Sequence, residues 1–207
     1  MGRKSRAEVR RAEILAAFER CIVRWGFDVP LEQIADEAGV RRSLIRHYLG
    51  NRDELVDQLI AQIAQEYPQR AADFFSRMLE RGADGLLDAL FPLGAPDDSS
   101  EGFVPSWDAA INALLGTAQG HYPQAKQRLA QMMEQIVEQT AGLLRQHFPR
   151  AGSGACYEAA YGLLCLVQSH DMLLSLGMNP RHTVLARASA ARLLADLGER
   201  SASPQPG

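Results

Sequence analysis

A chain of 207 residues, 46% of them hydrophobic and 23% charged, is large enough to bury one large core or two smaller ones. It contains no run of eighteen apolar residues, and its basic first residues lead directly into a charged segment, so we expect neither a transmembrane helix nor a signal peptide. The three cysteines form no C-x-x-C pair, which argues against a disulfide framework and for buried free thiols in a cytoplasmic protein.

Charge is distributed unevenly along the chain. Residues 1–52 carry eleven Lys and Arg against seven Asp and Glu, whereas the remainder carries eleven against eighteen. A basic head on an acidic body suits a polyanionic partner that binds at one end. A chance excess of positive charge is the alternative interpretation.

Apolar residues recur at helical spacing along the whole chain, and no alternating strand pattern is present. The spacing predicts three helices in the first fifty residues, each ended by a glycine, and then a long helix that begins at a capping box of Asn51 and Glu54. Asp84 is expected to cap a short helix ending near Phe91. The three helices of the first fifty residues are predicted at 6–25, 31–38 and 41–49, and further helices are predicted at 105–118, 123–147, 155–176 and 181–197.

The pattern therefore predicts an all-α fold of about nine helices. Residues 1–52 would form a three-helix head and residues 53–200 a second helical domain. The polar, proline-containing segment 201–207 is expected to be a disordered tail.

Residues 31–50 have the spacing of a helix-turn-helix. Ala35 stands where two short helices would nearly touch, and Gly39 stands four residues later, where the turn needs a left-handed backbone. The second of these helices carries an exposed basic face with no acidic residue from 40 through 52, and arginine both reads guanine edges and clamps phosphates. An ordinary solvated face on a helical hairpin is the alternative. The residues of this face are Arg41, Arg42, Ser43, Arg46 and His47.

The first quarter of the chain resembles the DNA-binding head of the TetR family of bacterial transcriptional regulators. The matching segments are Ile14–Phe18, Trp25–Phe27, Ile34–Val40, His47–Leu49 and Asn51–Leu55. The resemblance implies a helix-turn-helix DNA-binding domain followed by a ligand-binding and dimerisation domain. It also implies a homodimer that binds palindromic double-stranded operator DNA, usually as a repressor, on the bacterial nucleoid. No catalytic residue, metal or cofactor is expected.

Roles are carried over from the family position by position. Bases would be contacted by Arg41, Arg42, Ser43 and Arg46, and phosphates by His47, Tyr48 and Arg52. This chain departs from the family where Arg41 replaces the usual Ser or Thr cap of the recognition helix, a loss of about 1 kcal/mol in helix stability. It departs again where Val29 and Pro30 replace threonines that open the preceding helix.

Two further sets of residues are assigned to the second domain. Dimer contacts are expected at Leu163, Val167, Ala188, Ala191 and Leu194, because small and apolar side chains allow close helix approach. Candidates for a ligand pocket are Phe75, Met78, Trp107, Met132, Met133, Tyr161 and Gln168, since aromatic and sulfur side chains often line apolar cavities. Packing in an ordinary core is the alternative for each of them.

Four consecutive polar residues, 168–171, interrupt an otherwise apolar helix, so at least one of them should face inward and need a partner. A ligand, a neighbouring helix or a second subunit would serve as that partner.

We predict a mostly apolar effector that releases the DNA. The alternatives are a constitutive or protein-gated DNA-binding factor of the same fold, and an enzyme, for which no nucleophile–base spacing is visible.

Overall fold

The computed structural model describes residues 5–93 and 123–202, and these residues are helical with no strand among them. They form eight α-helices and one short 3-10 turn, Pro180–His182. The helices are α1 (Arg6–Trp25), α2 (Leu31–Glu37), α3 (Arg42–Leu49), α4 (Arg52–Glu80), α5 (Gly82–Leu90), α6 (Pro123–His147), α7 (Ser153–Ser175) and α8 (Thr183–Ala202). The all-α prediction is confirmed. The predicted helix 105–118, with Trp107, lies outside the described residues.

The chain divides into two compact units, and the division falls inside α4, between Glu66 and Tyr67. Of the described residues, 5–66 and 123–132 belong to the first unit, and 67–93 and 133–202 to the second. The first half of α4 belongs to the same unit as the head. Gln58 of α4 donates a hydrogen bond to the backbone carbonyl of Leu49 in α3, and Arg128 of α6 donates one to the carbonyl of Asp57 in α4.

Helix α1 begins and ends where the sequence predicts. Ser5 and Glu8 form a reciprocal capping box at its start, and Gly26, with φ of 84°, ends it. Ile14 and Phe18 are fully buried on one stripe of the helix. Trp25, which continues that spacing, is instead exposed, with the Arg24 guanidinium over its ring.

Three helices, α1, α2 and α3, pack against one another to form the head. Ile34 and Ala35 of α2 are buried, as are Ile45 and Leu49 of α3, and the two helices pack against each other. Pro30 is the N-cap residue of α2. Burial of these apolar side chains is the main force that fixes the angle of α3.

In the second unit, α5 and α7 both pack on α8. The approach of α7 to α8 is close at Gly162, where an added Cβ would lie 2.9 Å from Cδ1 of Leu193. Asp84 lies in the first turn of α5 and does not cap it, because the helix already begins at Gly82. The predicted tail is also wrong at its start, since α8 continues to Ala202. Within the described ranges, every helix is too short or too polar to cross a lipid bilayer.

Candidate nucleic-acid interface

The turn between α2 and α3 has the geometry that the sequence predicts. Gly39 has φ of 63°, a left-handed backbone that glycine adopts without strain. The amide of Gly39 donates to the carbonyl of Asp36 at 3.1 Å, and the amide of Val40 donates to the carbonyl of Ala35 at 2.9 Å. This pair of hydrogen bonds is a Schellman motif, which satisfies the last carbonyls of α2 and redirects the chain into α3.

Helix α3 has one buried face and one exposed basic face. Ile45 and Leu49 anchor the buried face, and Arg41 is the N-cap residue, without a side-chain capping bond. Tyr48 is half-buried, and its ring stands edge-on to that of His47, with ring centroids 4.9 Å apart. The exposed face, called the reading face below, consists of Arg41, Arg42, Ser43, Arg46 and His47.

One arginine of the reading face is engaged by the protein itself. The guanidinium of Arg42 forms an ion pair with Glu32 in the first turn of α2. Both side chains are about half exposed, so water can compete with the pair. Neither Arg41 nor Arg46 has a carboxylate partner among the described residues. Glu32 was missed by the sequence argument, which considered only acids between residues 40 and 52.

Arg52 lies at the start of α4, against the loop that follows α1. Its guanidinium donates hydrogen bonds to the backbone carbonyls of Phe27 and Val29, in the loop between α1 and α2. The same group lies 5.5 Å from the ring centroid of Phe18 and 5.6 Å from that of Phe27. The sequence predicts a phosphate contact for Arg52, and in the structure two of its N–H donors are used by loop carbonyls.

A second ion-pair group ties α1 to α2 on the surface of the head. Glu37 accepts a hydrogen bond from Arg20 at 2.6 Å and lies 3.3 Å from Arg24. The hydrogen bond from Arg20 is the main reason that the pKa of Glu37 lies below its ordinary value. These contacts hold the helix that precedes the turn, and therefore support the reading face indirectly.

The start of α4 carries the predicted capping box. The amide of Glu54 donates to Oδ1 of Asn51 at 3.0 Å, and the amide of Asn51 donates to Oε2 of Glu54 at 2.7 Å. Gln58 also donates to the carbonyl of Leu49, at the end of α3. The first turn of α4 is thus joined to the end of the helix that carries the reading face.

The dimer residues predicted for the second unit are partly wrong. Leu163 and Leu194 have relative exposures of 2% and 3% within the single chain, so they have no surface left to bury against a partner. Ala188 is exposed, and Val167 and Ala191 are half-buried, so a dimer contact stays a prediction at these three residues. The large apolar side chains that are exposed on α7 and α8 include Tyr157, Tyr161, Met172, Val184 and Leu185.

The predicted pocket residues are similarly divided. Tyr161 is 58% exposed on the outer face of α7, and its assignment to an internal pocket is therefore wrong. Phe75 and Met78 are buried in the second unit, Met133 is half-buried there, and Met132 is buried in the first.

The polar turn of α7 contains one side chain that faces inward. His170 is buried, and its Nε2 lies 3.1 Å from Oγ1 of Thr183 in α8, with Phe91 beside the ring. A neighbouring helix is thus the partner of His170. Gln168 differs, because its buried Oε1 has no hydrogen-bond partner among the residues that the structure describes.

No protein-family model and no curated protein matches the sequence. Solved structures of similar fold do match over almost the whole chain. A protein assigned to the TetR family from Mesorhizobium loti is 17% identical, with a TM-score of 0.66, and the match covers 94% of this chain and 97% of that one. A TetR transcriptional regulator from Legionella pneumophila is 15% identical, with a TM-score of 0.63, and the coverage is 93% and 98%.

A third similar structure is NalD of Pseudomonas aeruginosa, the secondary repressor of the MexAB-OprM multidrug efflux pump. It is 20% identical, with a TM-score of 0.54, and the match covers 93% of this chain and 96% of that one. The chain therefore has the fold of the TetR-family transcriptional regulators, as its first quarter predicts.

Proposed function

We propose that this protein is a TetR-type transcriptional regulator, most simply a repressor, that binds palindromic operator DNA as a homodimer. The observation that carries the proposal is the reading face, an exposed and arginine-rich side of α3 directly after a Schellman turn. A steep helix pair with a basic second helix is the arrangement that places side chains in the major groove. The match in fold to regulators of this type supports the same assignment.

Arg41 and Arg46 are the proposed base readers, because they are exposed and neither is held by a carboxylate among the described residues. Arginine pairs bidentately with O6 and N7 of guanine, so each operator half-site should contain guanines at the positions these side chains reach. His47 and Tyr48 are the proposed phosphate contacts. One α3 reads only a few base pairs, and a homodimer would read two half-sites about one helical turn apart.

The test is selection of bound fragments from the host's own DNA, followed by affinity measurements on the recovered sites. We expect a palindrome, and we expect Arg46→Ala to lose about 1–3 kcal/mol of discrimination at one position of each half-site. Retention of full sequence preference by Arg46→Ala, or recovery of unrelated fragments, would count against the assignment.

The exposed apolar side chains of α7 and α8 are the proposed dimer surface, and we call them the α7–α8 stripe. They are Tyr157, Tyr161, Met172, Val184 and Leu185. Apolar side chains of this size on neighbouring helices favour burial against a partner, and a second copy would place two heads in a symmetric pair.

A small, mostly apolar effector is the proposed releasing signal. Buried aromatic and sulfur side chains in the second half of α4, with Phe74 and Phe75 packed edge-on, support an apolar site there. The buried Oε1 of Gln168 has no partner within residues 5–93 and 123–202, and it supports one hydrogen-bond donor on the effector, because an unpaired buried acceptor is costly. An effector can release DNA only if it binds the released state more tightly.

Thermal-shift and operator-release assays across apolar compounds with and without a donor group test this part. Gln168→Leu should abolish the preference for donor-bearing compounds while operator affinity stays unchanged. Silence across all compounds, with operator binding intact, would favour a constitutive or protein-gated factor of the same fold.

A further inference from the structure

The side chain of Arg52, from α4, holds the loop between α1 and α2. Phe27 and Val29 are buried, and their carbonyls lie in a segment without regular secondary structure. Buried carbonyls need donors, and the guanidinium of Arg52 supplies one to each. Arg52 thus joins the start of α4 to the loop that leads directly into α2.

The geometry favours arginine over lysine at this position. A guanidinium is planar, presents several N–H groups in fixed directions and stacks on aromatic faces. In this structure two of its donors reach two carbonyls while Phe18 and Phe27 flank it, with their ring centroids 6.3 Å apart. A lysine ammonium is a point charge on a flexible stem and does not present donors in a fixed planar arrangement.

We propose that Arg52 is a positioning residue for operator recognition, which sets the orientation of the helix-turn-helix relative to α4 and does not contact DNA. The proposal rests on the proposed function of the head. Two of the five guanidinium N–H groups are committed to the loop carbonyls and two aromatic rings lie beside the group, so the protein itself fixes the position of this side chain. The amides of Asn51 and Glu54 beside it are already used by the capping box.

The effect of Arg52 on DNA would pass through the backbone. The loop residue Val29 is followed by Pro30, the N-cap residue of α2, and α2 packs on α3. When the loop is released, α2 is no longer fixed to α4 at this end. The reading face would then meet the base edges in a distribution of angles, which weakens specific contacts more than non-specific phosphate attraction.

The decisive experiment compares Arg52→Lys and Arg52→Ala with the unchanged protein in salt titrations of binding to operator and to random DNA. If Arg52 positions the head, Arg52→Lys loses operator affinity by about tenfold per half-site. Its affinity for random DNA changes little, and the slope of log K against log salt stays the same. If Arg52 contacts phosphate, Arg52→Lys keeps its affinity and Arg52→Ala flattens the slope by about two per dimer. That second result would overturn the proposal.

Loss of stability must be separated from loss of positioning. Ile63→Val in α4 is the matched control, because it removes one buried methylene from the first unit without touching the loop. We expect the control to lower the melting temperature and to keep operator affinity at a temperature where it is folded. If Arg52→Lys behaves like this control, its role is structural only and the proposal fails.

A second variant covers the case in which substitutions of Arg52 do not fold. Phe27→Leu keeps the charge and both carbonyls but removes one aromatic face. Positioning predicts a smaller loss of operator specificity with an unchanged salt slope. Unchanged specificity in folded Phe27→Leu would show that the aromatic contact is not needed and would overturn the proposed mechanism. If the proposed function itself is wrong, the unchanged protein would bind no DNA site more tightly than random DNA.

Discussion

Glu32 is expected to restrain the DNA affinity of the head, because it holds Arg42 in an ion pair across the helix-turn-helix. We consider the change Glu32→Gln, which keeps the shape of the side chain and removes its charge. Arg42 would then reach DNA without first giving up a partner. The variant should therefore bind operator more tightly than the unchanged protein.

The magnitude follows from the exposure of the pair. The side chains of Arg42 and Glu32 are 48% and 59% exposed, and exposed ion pairs of this kind contribute about 0.2–1 kcal/mol. Releasing the pair should raise operator affinity by up to about fivefold per half-site. Removing a negative charge near the phosphates adds a gain that does not depend on Arg42, so the two contributions must be separated.

A double-mutant cycle with Arg42→Ala separates them, using the anisotropy of a labelled operator at low and high salt. Glu32→Gln should gain more affinity when Arg42 is present, and the difference should shrink at high salt. Asp36→Asn is the matched control, since it removes an exposed acid from the same helix. Equal effects of Glu32→Gln with Arg42 present and with Arg42→Ala would refute the reasoning. Weaker operator binding by Glu32→Gln would also refute it and would indicate that Glu32 itself contacts the operator.

Three further predictions concern assembly and stability. Leu185→Arg on the α7–α8 stripe should dissociate the dimer in light scattering, whereas Leu93→Arg, at a similar exposure of 61% against 64%, should not. Gly50→Ala should cost about 1–3 kcal/mol in urea unfolding, because φ is 81° and the new Cβ would overlap the carboxylate of the adjacent capping box. Glu37→Gln should lower stability at pH 7 and have little effect in acid. The hydrogen bond from Arg20 lowers the pKa of Glu37 in the folded protein, so the ion pair stabilises the fold above the unfolded-state pKa of about 4.3. This stabilisation is lost as the pH falls through the folded-state pKa of Glu37.

The parts of the fold that the sequence predicted well depend on residues close together in the chain. The capping boxes of α1 and α4 each join residues three apart, and the turn at Gly39 is closed by hydrogen bonds over three and five residues. Their residue types are restricted by local backbone geometry. Local rules of this kind are sufficient to place the head and to identify which side of α3 is buried.

The second unit was harder to predict because α7 is apolar on most of its circumference. Leu163 and Tyr161 are two residues apart, yet one is buried and the other is mostly exposed. Helical spacing identifies a core face only when the other face is polar, and here it is not. Whether a residue of α7 belongs to the core, a pocket or a dimer surface therefore depends on which helices pack against α7. The packing of α8 on α7 is a tertiary contact, and the spacing of residues along α7 does not reveal it.

The electrostatics of the reading face show why a count of charges along the chain was not sufficient. The sequence places four arginines between residues 41 and 52, and no acid lies among them. In space, Glu32 from the preceding helix pairs with one of these arginines, and loop carbonyls more than twenty residues away hold Arg52. Two arginines of the four, Arg41 and Arg46, have no such engagement among the described residues. Sequence discrimination should therefore be concentrated at the bases these two reach, and the salt dependence should be weaker than four arginine contacts per head would give.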